Sequence, residues 1–414
     1  MQDNPYKLFE VTGIEAEYMI VDRDSLAVLP AADKIFFEKT GNYASDFTWG
    51  DIEWSNELVN HVVELKTHSP VSSLHNVDHS FQKSIREINQ ILEKYNGMLL
   101  PTASHPFMDP LEETVLWPHE YSKIYRIFDS VFSCRSHGWA NLQSVHINLP
   151  FKNDAEFGKL HAAVRIVLPL IPAVAASSPF REARLTGFLD SRMESYFYHE
   201  RKIPSLMGRL IPEPIFSKEN YDSLIFSPII EDFKKYDPDH IMEHHFLNSR
   251  GAIARFDRGA IEIRVMDIQE CPLADLAVVQ AINLVLQNLV SEKYCSMENQ
   301  KNMKTEDLLK IFMNSLSSGS ELRIDDLKFL SCFGMTGISA SLRDIWNKLY
   351  SDVKSTMDDP YRNAFEAILK NGNLAERMIR KTGNNPSDEN LKALYRQLSV
   401  CLVENIMFDP DPAV

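Results

Sequence analysis

The most regular pattern of apolar and polar positions lies near the start of the chain, in residues 13–22, GIEAEYMIVD. Apolar and β-branched side chains surround Glu15 and Glu17, which are two positions apart. Because successive side chains of a strand point to opposite faces, this spacing predicts a β-strand with both carboxylates on one face. Buried together they need a positive charge, which a hard divalent cation would supply. For this pair alone, we favour the simpler interpretation of an edge strand with a solvated acidic face.

Two later segments repeat the arrangement of polar side chains opposite an apolar face. Residues 61–67 predict a strand that carries Glu64 among apolar neighbours. Residues 141–151 alternate in the same way, and the polar face of that strand carries His146 and Asn148. The recurrence of ligand-type side chains on separate strands favours a shared site over a single solvated edge.

A fourth segment, residues 253–267, predicts a β-hairpin that turns near residues 257–259. On its second strand the alternation places Glu262, Arg264 and Met266 on one face, with the intervening apolar residues toward the core. A carboxylate and a guanidinium therefore share one strand face in this hairpin.

Helical periodicity dominates the remaining segments. In the first part of the chain it predicts helices at 77–95, 119–132 and 154–174, the last broken near Pro169 and Pro172 because proline removes a hydrogen-bond donor. We interpret residues 28–54, 176–192 and 203–236 as mainly irregular. From residue 273 onward no strand pattern occurs, and helices are predicted at 273–293, 306–316, 341–355, 362–380 and 389–405. The expectation is an α+β fold in a single domain, 1–414, with a sheet-forming core (1–272) and a helical layer (273–414).

Composition narrows the class of protein. Lys and Arg number 43 against 58 Asp and Glu, and the resulting net charge of −15 argues against a nucleic-acid binder. By its sequence pattern, no apolar run approaches the roughly 18 residues needed to cross a bilayer, and the first residues do not resemble a secretory signal. We therefore expect a cytoplasmic protein without membrane contact. The five cysteines are scattered, which predicts reduced thiols with neither a disulfide framework nor a zinc site: Cys134, Cys271, Cys295, Cys332 and Cys401.

The strand residues suggest a cation site beside arginines. Glu15, Glu17, Glu64, His146 and Glu262 offer oxygen and imidazole donors that suit Mg²⁺ or Mn²⁺. Guanidinium groups grip oxyanions, so phosphate contacts are expected from Arg184, Arg192, Arg255 and Arg264. Each residue also has a simpler interpretation: His146 as a core histidine, Arg264 in an internal ion pair, Ser177 and Ser178 in an ordinary turn. The chain contains no standard phosphate-loop, dinucleotide or nucleophile-elbow motif, and spacing alone leaves these alternatives open.

Four longer stretches are distinctive: GIEAEYMIVD (13–22), VELKTHSP (63–70), ASSPFREARLTGFLDSR (176–192) and ARFDRGAIEIRVMDIQECPLADL (254–276). Two shorter ones are ASHPF (103–107) and SVHINLPF (144–151). Together, and in this order, they resemble the glutamate–cysteine ligase type 2 family, carboxylate–amine ligases of the glutamine synthetase superfamily. The resemblance implies an antiparallel sheet curved around a metal-rich ATP cleft, with helices on its outer side, as in the glutamine synthetase catalytic domain.

The resemblance also implies roles for individual residues. Metal ligands are expected at Glu15, Glu17, Glu64, His146 and Glu262, with Glu57 as a further ligand. Catalytic contacts to phosphate or acyl-phosphate are expected from Arg192, Arg255 and Arg264, with Asn148 also near the nucleotide. The substrate is expected near His105, Ser177, Ser178 and Arg184. Many bacterial members have a second histidine where this chain has Asn148, so that position need not be a ligand.

The implied activity is ATP-dependent joining of a carboxylate, such as that of glutamate, to an amine through an acyl-phosphate. ATP and Mg²⁺ or Mn²⁺ are the expected cofactors, and small-molecule carboxylates and amines the expected partners, with a homodimer left open. A phosphotransferase on the same scaffold and a non-catalytic nucleotide- or amino-acid-binding protein are the alternatives. ADP that appears only when a carboxylate and an amine are both supplied would distinguish the ligase from these alternatives.

Overall fold

Antiparallel strands form the centre of the protein. The structure is a computed structural model that describes residues 5–239 and 241–411, without the side chain of residue 245. The strands of the described residues are β1 (Gly13–Asp22), β2 (Asp46–Trp49), β3 (Ile52–Asn56), β4 (Val62–Thr67), β5 (Gly97–Leu100), β6 (Ser144–Pro150), β7 (Phe180–Arg181), β8 (Arg184–Leu185), β9 (Ala252–Arg255), β10 (Ala260–Asp267), β11 (Arg323–Ile324) and β12 (Ala340–Ser341).

Eight of these strands make one sheet in the order β2-β3-β4-β1-β6-β10-β9, with β5 also paired to β1. The long strand β1 lies in the middle. One of its edges pairs with β4, and the other pairs with β6 near its start and with β5 near its end. Every pairing in the sheet is antiparallel, and β7–β8 and β11–β12 form separate two-stranded hairpins or pairs.

The two faces of the sheet differ sharply in polarity. Residues directly opposite each other on antiparallel strands share a face, and the register puts Ala16 opposite both Leu65 and Val145, all buried. We call this side the core face. Glu15 lies opposite Lys66 and His146 on the other side, which we call the cleft face.

Helices cover the core face. α13 packs against α2 and α6, and these two helices contact strands of the sheet, all within one apolar cluster. The helices are α1 (Ala32–Thr40), α2 (Val77–Leu92), α3 (Pro110–Glu113), α4 (Ser122–Phe132), α5 (His137–Ala140), α6 (Asp154–Val167), α7 (Pro172–Ala175), α8 (Ser191–Tyr198), α9 (Pro204–Met207), α10 (Lys218–Tyr221), α11 (Ser227–Phe233), α12 (His244–Leu247), α13 (Pro272–Val290), α14 (Met297–Lys301), α15 (Thr305–Ser318), α16 (Leu327–Cys332), α17 (Leu342–Val353), α18 (Asp359–Asn371), α19 (Leu374–Thr382) and α20 (Asp388–Glu404). Short 3₁₀ turns lie at Glu93–Tyr95, Leu168–Leu170, Lys234–Tyr236 and Gly319–Glu321, and a π-helical turn lies at Asp222–Phe226.

The predicted α+β class is confirmed, and so are the strands with period-two alternation. The break expected in the helix that starts at Asp154 is also confirmed: α6 ends at Val167, and α7 begins at Pro172. Two predicted irregular regions were wrong. Residues 28–54 contain α1 and the β2–β3 hairpin, which turns through Gly50 at φ 62°. Glycine adopts this left-handed conformation without steric cost, so the turn is compatible with continuous strand pairing.

Residues 203–236 were predicted as mostly loop with a short helix because of their prolines, but they contain several helices. Pro204 lies in the first turn of α9, where the missing N–H costs nothing because the first helical N–H groups have no intrahelical acceptor. Pro228 lies at the start of α11, directly after the π-helical turn at Asp222–Phe226.

The single helix predicted for 362–380 is two helices, α18 and α19. Gly372, at φ 90°, ends the first. Asn373 begins the second with a capping box, in which its side chain accepts from the N–H of Glu376 at 2.9 Å and its own N–H donates to the Glu376 carboxylate at 3.0 Å. The short pair β11–β12 also corrects the expectation of no strands after residue 273.

Strand β10 contains an irregularity that the period-two pattern missed. Ile263 lies opposite Ile147, but Met266 lies opposite Val145, so three steps on β10 match two on β6. This β-bulge reverses the alternation. Met266 therefore shares the core face with Val145, contrary to the predicted face, and Asp267, opposite Ser144, turns to the cleft face.

The expectation that no apolar run approaches membrane-spanning length needs correction at α13. This helix has 19 residues and a mean hydropathy of 1.6 over its most apolar window, so length and composition alone would allow it to cross a bilayer. However, 67% of that window is buried within the protein. Such burial is typical of a core helix packed beneath a sheet.

Candidate active site

Charged side chains from neighbouring strands form rows across the cleft face. One row runs from Glu53 of β3 through Lys66 and Glu15 to His146 of β6. In the next row Glu64 lies directly opposite Glu17. Like charges in opposing positions of a sheet repel each other. The cleft face is therefore built around acidic groups that need positive partners.

His146 lies between three of these carboxylates. Its Nδ1 is 3.0 Å from Oε2 of Glu15 and 3.7 Å from Oε1 of Glu262, and its Nε2 is 3.9 Å from Oε1 of Glu17. Burial opposes the charged imidazolium, but the hydrogen bond with Glu15 and the surrounding carboxylates raise the pKa of His146 to about 9. His146 thus lies among carboxylates, and both of its ring nitrogens have hydrogen-bond partners, Glu15 at 3.0 Å and the hydroxyl of Ser144 at 2.9 Å.

Two groups of donor atoms in the described residues have the size of a cation site. Within each group the ligand atoms all lie within 4.8 Å of one another. The first consists of Glu15, His146 and Glu262, and the second of Glu17, Glu64 and His146. The structure thereby brings together five of the six predicted ligands. Glu57 lines the same cavity without belonging to either group.

Burial and crowding raise the pKa of two of the carboxyl groups. Burial and the neighbouring charge of Glu17 raise the pKa of Glu57 to about 8, and burial with the charge of Glu15 raises that of Glu64 well above its usual value. Lys66 supplies partial compensation, with Nζ 3.4 Å from Oε2 of Glu64 and 3.2 Å from Oε1 of Glu53. The donor set is mostly carboxylate oxygen with one imidazole, which suits Mg²⁺ or Mn²⁺.

Two of the predicted arginines lie on the cleft face. Arg264 and Arg255 both bind Glu262, the former at 2.5 Å from Nη2 to Oε1 and the latter at 3.4 Å from Nη1 to Oε2. Burial opposes ionisation of Glu262, but the positive charges of Arg264, His146 and Arg255 together outweigh it and lower the pKa of the carboxyl. Both guanidinium groups therefore lie at the edge of the cation site.

The third arginine, Arg192, has a different environment. Its Nε donates to Oδ1 of Asp267 at 2.5 Å, and both side chains are buried. Ser177 donates its N–H to Oδ2 of Asp267 at 2.9 Å, and Ser178 donates its hydroxyl to the same oxygen at 2.9 Å. The serines predicted to lie near the substrate thus bind the partner of Arg192. Arg192 itself still lines the cavity described below.

Two cavities meet on the cleft face. The donor cavity, of about 570 Å³, is lined by the acidic donors together with Arg192, Arg255 and Arg264. The side cavity, of about 560 Å³, lies near Gly13 and contains Asn148, whose amide donates to Oε1 of Glu15 at 2.9 Å. Glu15, Glu53, Lys66 and Arg258 line both. The two cavities thus share a wall of charged residues.

All four predicted substrate residues lie outside the walls of both cavities. His105 is buried, its Nε2 is 2.8 Å from the carbonyl of Leu26, and its Nδ1 accepts from the N–H of Phe107 at 3.2 Å. These bonds define a structural histidine that holds its loop. Arg184 is exposed on β8. Neither Ser177 nor Ser178 lines either cavity.

Several residues of the site were not predicted. Glu53 lies on the β2–β3 hairpin, where the alternation of Ile52, Glu53, Trp54 and Ser55 was the available signal. Lys66 shares its face with Glu64 by simple period-two spacing. Asp267 reaches the cleft face only through the bulge in β10, for which the sequence contained no clear signal.

Comparison with known proteins identifies the class. Residues 11–397 match the family model described as glutamate-cysteine ligase family 2, and the chain belongs to that family. It is therefore a member of the carboxylate–amine ligases, and the predicted resemblance is confirmed.

The individual proteins that resemble this chain share less than a third of its residues. An uncharacterized protein of Archaeoglobus fulgidus is 29% identical over 96% of this chain and 99% of its own length. A Bradyrhizobium diazoefficiens protein named "Putative glutamate--cysteine ligase 2" is 27% identical over 51% of this chain and 46% of its own. The solved complex between prokaryotic ubiquitin-like protein Pup and its ligase PafA matches 98% of this chain and 67% of that chain, with 13% identity and a TM-score of 0.41. That likeness is too remote to carry an argument.

Proposed function

We propose that this protein is an ATP-dependent ligase that activates a carboxylate as an acyl-phosphate and joins it to an amine. The observation that carries the proposal is the convergence of Glu15, Glu64, His146 and Glu262 from four strands, with Arg264 beside Glu262. Phosphoryl transfer depends on positioning and on neutralising charge rather than on a protein nucleophile. A face of oxygen donors edged by guanidinium groups meets both needs.

The residues that would hold divalent cations are the two donor groups centred on His146, with Glu57 as an additional carboxylate. When bound, such cations would neutralise the phosphate oxygens of the nucleotide. Arg264 and Arg255 would bind phosphate oxygens from the other side, because the guanidinium fork matches two oxyanion oxygens at once. Lys66, at the junction of the cavities, would add a further positive charge near the transferred group.

The two cavities suit a reaction with separate substrates. The carboxylate substrate would attack the terminal phosphorus of ATP, releasing ADP, and the amine would then displace phosphate from the acyl-phosphate. Glutamate as the carboxylate and cysteine as the amine are the first pair to test, since the family is named for them. Holding the reactants in adjoining cavities replaces a bimolecular encounter by an intramolecular one.

The deciding experiment is a screen of amino acids, singly and in pairs, with ATP and Mg²⁺, in which ADP and phosphate are measured. We expect stoichiometric ADP and phosphate only when a carboxylate and an amine are both present, with the amide product detected by mass. Glu64→Gln, purified in parallel, controls for contaminating ATPases. ADP formed with a single phosphorylated product would instead indicate a phosphotransferase. A rise in melting temperature with ATP but no turnover with any pair would indicate a binding protein.

A further inference from the structure

One end of the donor cavity is aromatic. The rings there contact one another: His199 stacks on Tyr196 with centroids 4.4 Å apart and meets Trp139 edge-on at 4.5 Å. Phe128 lies 5.4 Å from Trp139. All four residues line the cavity. Aromatic faces attract cations, so this end favours a positively charged group over a phosphate.

Glu200 lies in the same wall and is 1% exposed. Its Oε1 accepts from the hydroxyl of Ser249 at 2.9 Å. Its Oε2 is buried and has no hydrogen-bond partner among the described residues. A buried carboxylate oxygen without a partner is costly. The two candidate cation groups do not include Glu200, so the metal site leaves this oxygen unexplained.

A short hydrogen-bonded chain connects Glu200 to the site of phosphoryl transfer. Ser249 also accepts, through its carbonyl, from the hydroxyl of Tyr196 at 2.9 Å. That hydroxyl in turn accepts from Nη1 of Arg264 at 3.5 Å. A group held at Glu200 would therefore lie on the same side of the cavity as the arginine that we assign to the phosphate.

We propose that Glu200, with the aromatic rings around it, binds the ammonium group of the amine substrate. This inference rests on the proposed function and assigns the class of the second substrate: a primary amine that arrives as a cation. Three observations support it: the cavity, the aromatic wall, and the position of Glu200, which lines the cavity and has a buried oxygen without a hydrogen-bond partner among the described residues. The ammonium would supply the missing hydrogen-bond donor and the compensating charge.

Two nucleophiles of similar size separate this role from a structural one. Near neutral pH methylamine is almost entirely a cation, whereas hydroxylamine is almost entirely neutral and traps acyl-phosphates as hydroxamates. Each is supplied with ATP, Mg²⁺ and L-glutamate to the parent protein and to Glu200→Gln. We expect kcat/KM for methylamine to fall at least about tenfold in the variant, the scale of one hydrogen bond to a charged group. The hydroxamate rate should stay within about twofold, because a neutral nucleophile does not need the charge.

Melting temperatures and a conservative variant test whether a lost rate in Glu200→Gln is caused by misfolding. Glu200→Gln should melt at or above the parent temperature, because it removes a buried carboxylate, and Glu200→Asp should recover part of the methylamine rate. The matched control is Glu194→Gln on α8, whose side chain pairs with Arg181 and does not line the cavity. It should keep both rates.

Each contrary result has a distinct meaning. Equal loss of both nucleophiles in Glu200→Gln, or loss of neither, overturns the ammonium assignment while leaving the ligase proposal intact. A parent protein that uses hydroxylamine but not methylamine overturns it as well. Absence of hydroxamate with L-glutamate and with every other carboxylate of the pair screen overturns the proposed function, and this inference with it.

Discussion

Arg264 and Glu262 are paired with each other on the cleft face: Nε and Nη2 of the guanidinium lie 3.1 and 2.5 Å from the same oxygen, Oε1. That oxygen is also 3.7 Å from Nδ1 of His146. The sequence-based hypothesis was that each charge would pair with a ligand instead of with the other. In the protein alone the internal pair forms, so a cation or phosphate would have to share or replace it.

Replacing Arg264 by lysine separates the phosphate role from the structural one. Lysine keeps the charge near Glu262 but loses the planar fork. We expect turnover to fall at least about tenfold, or about 1.4 kcal/mol in the barrier, with little change in the melting temperature of the metal-free protein. Steady-state ADP release and thermal melting measure the two effects. Arg209→Lys, in an exposed pair with Glu306, is the matched control. A variant that loses stability but keeps its rate per folded molecule would make Arg264 structural.

Glu64→Gln tests the cation site. The substitution keeps the shape of the side chain but removes a charge that Glu17 opposes across the sheet. We expect the metal-free protein to fold at least as stably, turnover to fall at least about a hundredfold, and stabilisation by Mg²⁺ with nucleotide to weaken. Melting temperatures with and without Mg²⁺, measured beside the rates, check this. Glu87→Gln, whose side chain pairs with Lys39 away from both cavities, should behave as the parent. Normal turnover in Glu64→Gln would remove it from the ligand set.

Asp267→Asn tests whether the Arg192 pair supports the fold. Asparagine cannot replace a carboxylate that takes Arg192 on one oxygen and two serines on the other. We expect the free energy of unfolding to fall by about 3–5 kcal/mol, because a buried guanidinium loses its counter-charge. Denaturant unfolding monitored by circular dichroism measures it. Glu306→Gln, in an exposed pair, should cost little. An unchanged midpoint would show that Arg192 finds another partner, such as a bound anion.

The buried histidines predict a pH dependence of stability. Burial lowers the pKa of both His105 and His61 to about 4, against about 6.5 for an unfolded histidine. Below about pH 6.5 the unfolded chain binds protons that the folded protein does not. The stability contribution is therefore complete above that pH and is lost as the pH falls toward 4.

In His105→Gln the amide can still donate to the carbonyl of Leu26, but the titrating group is gone. We expect the slope of unfolding free energy between about pH 6.5 and 4 to decrease by about 1.4 kcal/mol per pH unit relative to the parent. Urea titrations at several pH values give this slope, and His61→Gln should show a similar decrease. Identical slopes in parent and variant would mean that His105 is protonated in the folded protein.

The sequence predicted strands and the faces of their side chains correctly wherever one periodicity continued without a break. Glu15, Glu64 and His146 were assigned to strands correctly, and the register brings them within a few ångströms of one another. Local alternation determines which face a side chain takes. It does not determine which strands pair, so the convergence of these residues on one cavity was implied by the family resemblance and not by alternation.

Other residues depended on information that alternation does not carry. Glu53 was not predicted as a site residue because it lies in a hairpin that turns at Gly50, and the sequence of this hairpin resembles a loop. Glu200 is the second residue after α8, and it is distinctive only because tertiary packing leaves one of its oxygens without a hydrogen-bond partner among the described residues. Such environments are products of packing between distant segments, and no spacing along the chain encodes them.

The bulge in β10 has a consequence for how this strand can change during evolution. Before the bulge, the even-numbered residue Glu262 lies on the cleft face. After the bulge the alternation is reversed, and the odd-numbered residue Asp267 lies on that face. Pairing the same residues without the bulge would act on side chains as a frameshift acts on codons: Met266 would turn to the cleft face, and the carboxylate of Asp267 would enter the apolar core. Removing one residue between Ile263 and Met266 would instead let two steps on β10 match two on β6, and Met266 and Asp267 would keep their faces. A one-residue alignment gap at this point should therefore mark a relative with a regular strand and the same side chains on the cleft face.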